Sequence, residues 1–287
     1  MEQAQATILN VPIKHRFNRR KLTITLAILA TLVILAILIT GSLSSQAAVK
    51  TSFLHKNHPP GLDHFLGTDW LGRDMLARTL KGLSLSVLIG LGASTVSAFL
   101  ALFLGVVSAT FGGKIDALVS WGVDVVMGLP HLMLLILVSY ALGKGLMGVT
   151  VAVAISHWPN LTRVIRAEIT QLKAANYILI PQKLGHGPFY IARRHMLPHV
   201  FPQFLVGLIL LFPHAILHEA SVTFLGFGLS SEQPGIGIIL SESMKYLSLG
   251  YWWLSVFPGL ALLATVLIFD RLGHYVRELI DPHSVHD

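Results

Sequence analysis

From Leu22 to Leu43 the chain runs 22 residues without a charged side chain. As a helix this is about 33 Å, enough to cross a hydrocarbon core of about 30 Å. Further apolar runs follow at about 83–111, 116–142, 146–158, 200–228 and 251–272. The 287 residues are 53% hydrophobic and only 12% charged, against about 25% charged in a soluble domain. So few charges cannot cover the surface of a water-soluble fold of this size. The expected class is an all-α integral membrane protein with six transmembrane helices.

The basic stretch "KHRFNRRK" (14–21) ahead of the first run looks like the start of a cleaved signal. A cleavable apolar core is about 7–15 residues long, however, so the longer run is expected to stay as a first span. The fourth run is short, and its helix is expected to continue through "NLTRVIRAEI" beyond the membrane. Six spans put both termini on one side. That side collects 14 of the 21 Lys and Arg residues, the other 7, so the termini and the 159–199 loop are expected in the cytoplasm. The resulting divisions are a tail at 1–21, a first helix at 22–43, an extracytoplasmic loop at 44–82, a membrane domain at 83–272 containing the 159–199 loop, and a tail at 273–287. In the 44–82 loop "TDWLGRDMLARTLKGL" is expected to form an amphipathic helix on the outer membrane surface. Thr68 or Asp69 would cap it, and Leu71, Met75, Leu76 and Leu80 share a face.

The net charge of +7 sits at the ends of apolar runs, not on one face interleaved with aromatics, which argues against a nucleic-acid partner. Zero cysteines exclude disulfides and thiolate metal sites. Phosphate-loop chemistry is missing too: in "FGGKID" (111–116) Ile115 follows Gly-Lys, and Ser108 stands where the first Gly belongs. "HEASV" (218–222) starts like a zinc-peptidase helix but ends in Val222 where the second His is needed.

Polar groups within apolar spans are costly and usually face a bundle interior or an aqueous path. Asp124, His157, His214, His218 and Glu219 are such groups. Asp124 is expected to be structural or gating. His157-Trp158 is expected where the fourth helix leaves the membrane, the Trp as an interfacial anchor. His214 and His218, four apart, share a helical face and could hold one metal ion, with Glu219 bordering that face. Interhelical hydrogen bonding is the plain alternative. Glycines and prolines at Gly90, Gly92, Gly105, 128–130, 225–229 and 257–260 suit close packing and kinks.

One segment interrupts the apolar pattern: "QKLGHGPFYIARRHMLPH" (182–199), polar, basic and broken by glycine. Gly185, nine further residues, His195, one residue, Leu197 and Pro198 resemble the G-x9-I-x-L-P spacing of the loop that marks membrane subunits of ATP-binding-cassette importers. The Glu-Ala-Ala positions of that loop hold Leu179, Ile180 and Pro181, and Pro181 would disturb a regular helix there. "HFLGTDWLGRDMLAR" (64–78) is similar to the signature of the second permease in dipeptide, oligopeptide and nickel importers. "EASVTFLGFGL" (219–229), "FPGLAL" (257–262) and "DP" (281–282) follow in the family's order. "SHW" (156–158) and His218 look most like the nickel-importer permease.

The resemblance implies a type I permease fold and a coupling loop over 176–199. Asn176, Tyr177, Gly185, His186, Gly187, His195, Leu197 and Pro198 would transmit movement of a docked ATPase, with Gly185 at the bend. His157, His214, His218 and Glu219 would lie along the substrate path. It also implies partners: a homologous second permease, two ATP-binding subunits that carry ATP and Mg, and an extracytoplasmic solute-binding protein. This chain would then bind no cofactor and perform no catalysis, in a cytoplasmic membrane. The cargo expected is nickel or a related divalent metal, with di- or oligopeptides as the alternative. An intramembrane metal enzyme is the rival from another class, and a purely structural membrane subunit a further one.

Overall fold

A computed structural model describes residues 19–43 and 51–280. The N-terminal tail up to Asn18, residues 44–50 and residues 281–287, which include the "DP" at 281–282, lie outside the described residues. Ten α-helices carry the described fold: α1 (Arg19–Leu43), α2 (Met75–Phe111), α3 (Gly113–Gly128), α4 (His131–Ala141), α5 (Gly145–Leu172), α6 (Asn176–Lys183), α7 (Pro188–Ile191), α8 (Leu197–Phe224), α9 (Ile236–Leu247) and α10 (Trp253–Ile280). No strand occurs among the described residues.

Helix α2 is the centre of the bundle, packed on α1, α5, α8 and α9. Its inward face is a ladder of small residues: Gly90, Ala93, Ser94, Ser97, Ala98, Ala101, Gly105 and Ser108 are buried. Lipid tails are as apolar as leucine, so membrane helices associate by close van der Waals fit rather than by escape from water. A methyl group on Gly90 would meet Ile216 of α8 at 2.5 Å, and one on Gly105 would meet Ile165 of α5 at 2.9 Å. Both glycines are therefore required by contact. Leucines and phenylalanines on the opposite face of α2, such as Leu88, Phe99 and Phe103, are exposed, as suits a surface in lipid.

Four described helices are long and apolar enough to cross a membrane: α1, α2, the continuous run Pro188–Phe224, and α10. Helices α3 and α4 make a fifth crossing only as a pair, bent by 96° at Leu129-Pro130. The expected straight third span at 116–142 is thus broken, because Pro130 cannot continue the helical ladder. Helix α5 does continue through "NLTRVIRAEI" to Leu172. It falls short of a span by composition, since its apolar run gives way to Ser156, His157 and Asn160 midway. The count of six is therefore not reproduced by length and hydropathy.

Ahead of α2 the chain folds differently from the expected surface helix. Asp74, not Thr68 or Asp69, caps α2, its carboxylate accepting from the Ala77 amide at 2.9 Å. The stretch 68–74 is a turn wound around Asp69, and the amphipathic face belongs to the first turns of the long α2. The fully buried Asp69 carboxylate accepts from the amides of Leu71 and Arg73, from Arg73 Nε at 2.6 Å and from Arg78 Nη1 at 2.8 Å. Arg78 also donates to Glu242 of α9 at 2.6 Å. Trp70 stacks on Tyr246 with ring centroids 4.6 Å apart. Gly72 has φ +72, and a side chain there would strike the Ser52 carbonyl. The 64–78 motif is accordingly a structural knot that fastens the loop to α2 and α9.

Removing one member of a buried ion pair costs about 3–5 kcal/mol, since the other charge stays buried without its partner. Asp69→Ala is expected to lower the melting temperature of the detergent-solubilised chain by that equivalent, followed by tryptophan fluorescence. An unchanged melting temperature would mean that Glu242 alone neutralises Arg78.

Candidate functional site

Two constellations stand out, one inside the bundle and one at the turn before α8. The first starts from the bend at Leu129-Pro130, which aims the first residue of α4 inward. His131 there meets His157 of α5 and His218 of α8, with ring centroids 4.4 to 5.2 Å apart. One nitrogen from each ring lies within 4.8 Å of the others. The three line a cavity of about 330 Å³ with Met127, Asn160, Leu211 and His214 among its other walls.

His157 is 7% exposed. Its Nδ1 lies 2.8 Å from the Val153 carbonyl, which can only accept, so Nδ1 carries the proton and Ser156 Oγ sits 2.9 Å away. In the neutral ring this leaves the lone pair on Nε2, which is buried and has no hydrogen-bond partner. His131 Nε2 is likewise buried without a partner.

The sequence-based set is thereby rearranged. His218 does face a metal-competent cluster, but its neighbours there are His131 and His157, not His214. His214, one turn earlier on α8, borders the cavity as an exposed residue outside the trio. His157 and Trp158 are buried midway along α5, which runs on for nearly four more turns to Leu172. Glu219 does not reach the cavity. It is fully buried at the junction of α2, α8 and α9, bonded to Thr223 at 2.9 Å and to Ser86. A helical step of about 100° from His218 is enough to turn it to a different neighbour. Asp124 is exposed and pairs with Arg163 of α5 at 2.6 Å. His131 was missed, although a histidine inside the apolar run 116–142 is itself a signal.

The second constellation lies between α5 and α8. Arg166 grips Asp116 of α3 through two nitrogens at 2.5 and 2.6 Å. Lys173 donates to the Ala109 carbonyl at the end of α2 at 2.6 Å. These bonds hold the far end of α5 against α2 and α3. The chain then enters α6, which runs through Pro181 despite the expected disturbance. The Ala175 carbonyl accepts from both Ile178 and Leu179, and Ile178 and Pro181 are buried on the inner side. Gly185 ends α6 with φ +85. The amide of His186 donates to Pro181 and that of Gly185 to Gln182, the paired bonds of a glycine-terminated helix.

Residues 192–196 then wind as a π-helix, the Leu197 amide donating to Ala192. Pro198 brings no N–H to the ladder, and the wider turn leaves Ala192 and Met196 buried while Arg193 and Arg194 are exposed. Tyr177 and His195 meet edge to face at 4.9 Å, and His186 stacks on Tyr190 at 4.3 Å. His195 Nδ1 has no hydrogen-bond partner. Asn176 and Gly187 flank the two short helices as their first residue and N-cap. On the outer side Tyr177, Ile180, Leu184 and Phe189 are exposed, the last two to 72% and 71%. Among the described residues nothing covers these apolar side chains, and Arg193 and Arg194 are exposed on the same turn.

Comparison with known proteins gives these features a family. Residues 101–281 match the profile of the binding-protein-dependent transport system inner membrane component. The chain is 31% identical to the dipeptide transport system permease protein DppC of Bacillus subtilis (strain 168), covering 93% of this chain and 84% of that one. It is 31% identical to the oligopeptide transport system permease protein OppC of the same organism, over 93% and 87%. The probable D,D-dipeptide permease DdpC of Escherichia coli (strain K12) is 29% identical over 94% and 93%. In three dimensions it resembles a chain of the inward-facing MetNI methionine ABC transporter, with a TM-score of 0.58 at 18% identity, over 72% of this chain and 98% of that one. The fold is that of an importer permease, and the protein belongs to the inner-membrane permease family of binding-protein-dependent ABC importers.

Proposed function

We propose that this chain is one of two translocation subunits of an importer for small peptides. The observation that carries the reading is kinship with permeases named for dipeptides and oligopeptides along 93% of the chain. Those names favour the peptide alternative over the nickel expected from "SHW" and His218. The energy would come from two separate ATP-hydrolysing subunits, which hold the ATP and Mg, and a solute-binding protein would deliver cargo from outside.

The turn before α8 suits the docking role. An apolar patch flanked by Arg193 and Arg194, on two short helices tied to the bundle by Ile178, Pro181 and Met196, can pass a push from a docked partner into α5 and α8. The two-to-one bias of Lys and Arg supports a cytoplasmic position for this segment and for both termini. Helices α4, α5 and α8, with His157, His214 and His218 on the cavity wall, would line the path, whereas Glu219 would support it from behind.

Two measurements test the proposal. Gly185→Glu places a side chain on a left-handed residue, at a cost of about 1–2 kcal/mol, yet the space around it is open. The variant is expected to reach the membrane at normal levels and to lose uptake of a radiolabelled dipeptide with its ATPase partners present. Normal uptake would remove the coupling role. Separately, cells lacking this chain are expected to stop growing on a dipeptide as sole source of a required amino acid while their nickel content stays unchanged. Reversal of that pair of results would reinstate the metal cargo.

A further inference from the structure

We propose that His131, His157 and His218 form a coordination site for a borderline divalent transition-metal ion such as Ni²⁺, Co²⁺ or Zn²⁺. The proposal does not depend on which cargo the importer carries. Four observations lead to it. First, three imidazoles from three different helices converge so that one nitrogen of each lies within 4.8 Å of the others. Packing alone does not require three polar rings to share one spot in an apolar bundle, where polar groups are scarce and functional. Secondly, two of the nitrogens, Nε2 of His131 and of His157, are buried with no hydrogen-bond partner. A buried nitrogen without a partner is destabilising unless something else supplies the bond.

Thirdly, His157 has the support that a ligand histidine needs. Its Nδ1–H is committed to the Val153 carbonyl at 2.8 Å, which fixes the ring and leaves the Nε2 lone pair for an ion, the arrangement typical of metal-bound imidazole. Fourthly, the trio opens on a cavity of about 330 Å³, so an ion has room to enter together with its remaining ligands. Neutral imidazole suits borderline ions over hard ones such as Mg²⁺ or Ca²⁺, which prefer oxygen. Bonds of about 2.1 Å put the nitrogens about 3.0 Å apart in an octahedral site and about 3.4 Å apart in a tetrahedral one, so the rings would draw inward on loading. His131 would move with the start of α4, just past the 96° bend.

The charge balance adds a property of the bound species. Among the described residues no carboxylate lines this cavity, and three neutral rings do not offset a charge of +2 away from water. The ion is therefore expected to arrive with anionic ligands of its own, as in a neutral complex with amino-carboxylates.

The test uses the full chain assembled with its partner subunits in lipid nanodiscs. Equilibrium dialysis against Ni²⁺ alone and against the neutral 1:1 iminodiacetate complex of Ni²⁺, which leaves three coordination positions for the three imidazoles, is expected to find one site, at least tenfold tighter for the complex than for the ion. His131→Ala, His157→Ala and His218→Ala are each expected to weaken it at least tenfold, whereas His274→Ala, at an exposed histidine of α10, leaves it unchanged. His157→Gln, with normal elution and normal ATP hydrolysis by the assembly, separates loss of the ligand from loss of the fold. Co²⁺ should give visible d–d absorption in the parent chain and lose it in the same three variants. No binding by the parent chain, or binding that survives all three substitutions, would overturn the proposal. Equal affinity for the free ion would overturn its charge argument. None of these outcomes bears on dipeptide uptake, so the two readings stand or fall separately.

Discussion

Where α2 crosses α8 and α5, a methyl group on Gly90 would stand 2.5 Å from Ile216, and one on Gly105 would stand 2.9 Å from Ile165. Every other feature of the bundle depends on that closeness. In lipid, helices gain little by hiding apolar surface from one another, so the fit between backbones has to supply the association. Helix α2 provides it with a face of glycine, alanine and serine, against which α5 and α8 lay larger residues such as Ile165 and Ile216. The same shallow face sets how far each neighbour rotates. Rotation then decides which side chains of α5 and α8 look into the interior, and so which histidines meet.

Polar groups in the bundle fall into two kinds by their partners. Asp69 with Arg73, Arg78 and Glu242 forms a closed junction, and Glu219 is anchored to Thr223 through Oε1 and packed beside Ser86, away from any cavity. They hold the loop ahead of α2 and the short α9 in place. The histidine trio differs because two of its nitrogens have no partner and face a cavity. The first kind serves architecture; the second keeps its bonding capacity for something that enters. The helix break at Leu129-Pro130 makes this possible, since a straight helix through residues 116–142 would not turn His131 toward α5 and α8.

The turn before α8 joins the packed interior to an exposed apolar surface. Its inner residues, Ile178, Ile191 and Met196, share a packed cluster with Leu161 and Ile165 of α5 and Phe204 of α8. Its outer residues remain apolar and exposed. The turn is therefore packed continuously onto the two helices that carry His157 and His218, and close-packed interiors transmit shifts rather than absorb them. The π-turn at 192–196 adds one residue to the ladder, which brings Met196 inward while leaving two arginines outward. Such turns recur at functional sites.

Much of this was legible before any coordinates. Long charge-free runs dictate helices in a membrane, since a backbone in lipid must satisfy its own hydrogen bonds, and Gly185 marks the end of a short helix by its chemistry alone. Helix α9 could have been found from the helical spacing of Ile236, Ile239 and Ser243, but it lay between two stronger signals. Other features had no local trace. Asp69 reads as a helix cap until Arg78 and Glu242 are seen around it, and Pro181 reads as a breaker until its burial beside Ile178 is known. The sequence by itself determined the class, the order of the helices and the place of the polar turn, because hydropathy and backbone chemistry act over a few neighbouring residues. Only the tertiary structure decided that His131, His157 and His218 meet while His214 and Glu219 do not. Residues 26 and 61 positions apart come together through helix rotation and crossing, which are set by the packing of all the helices at once.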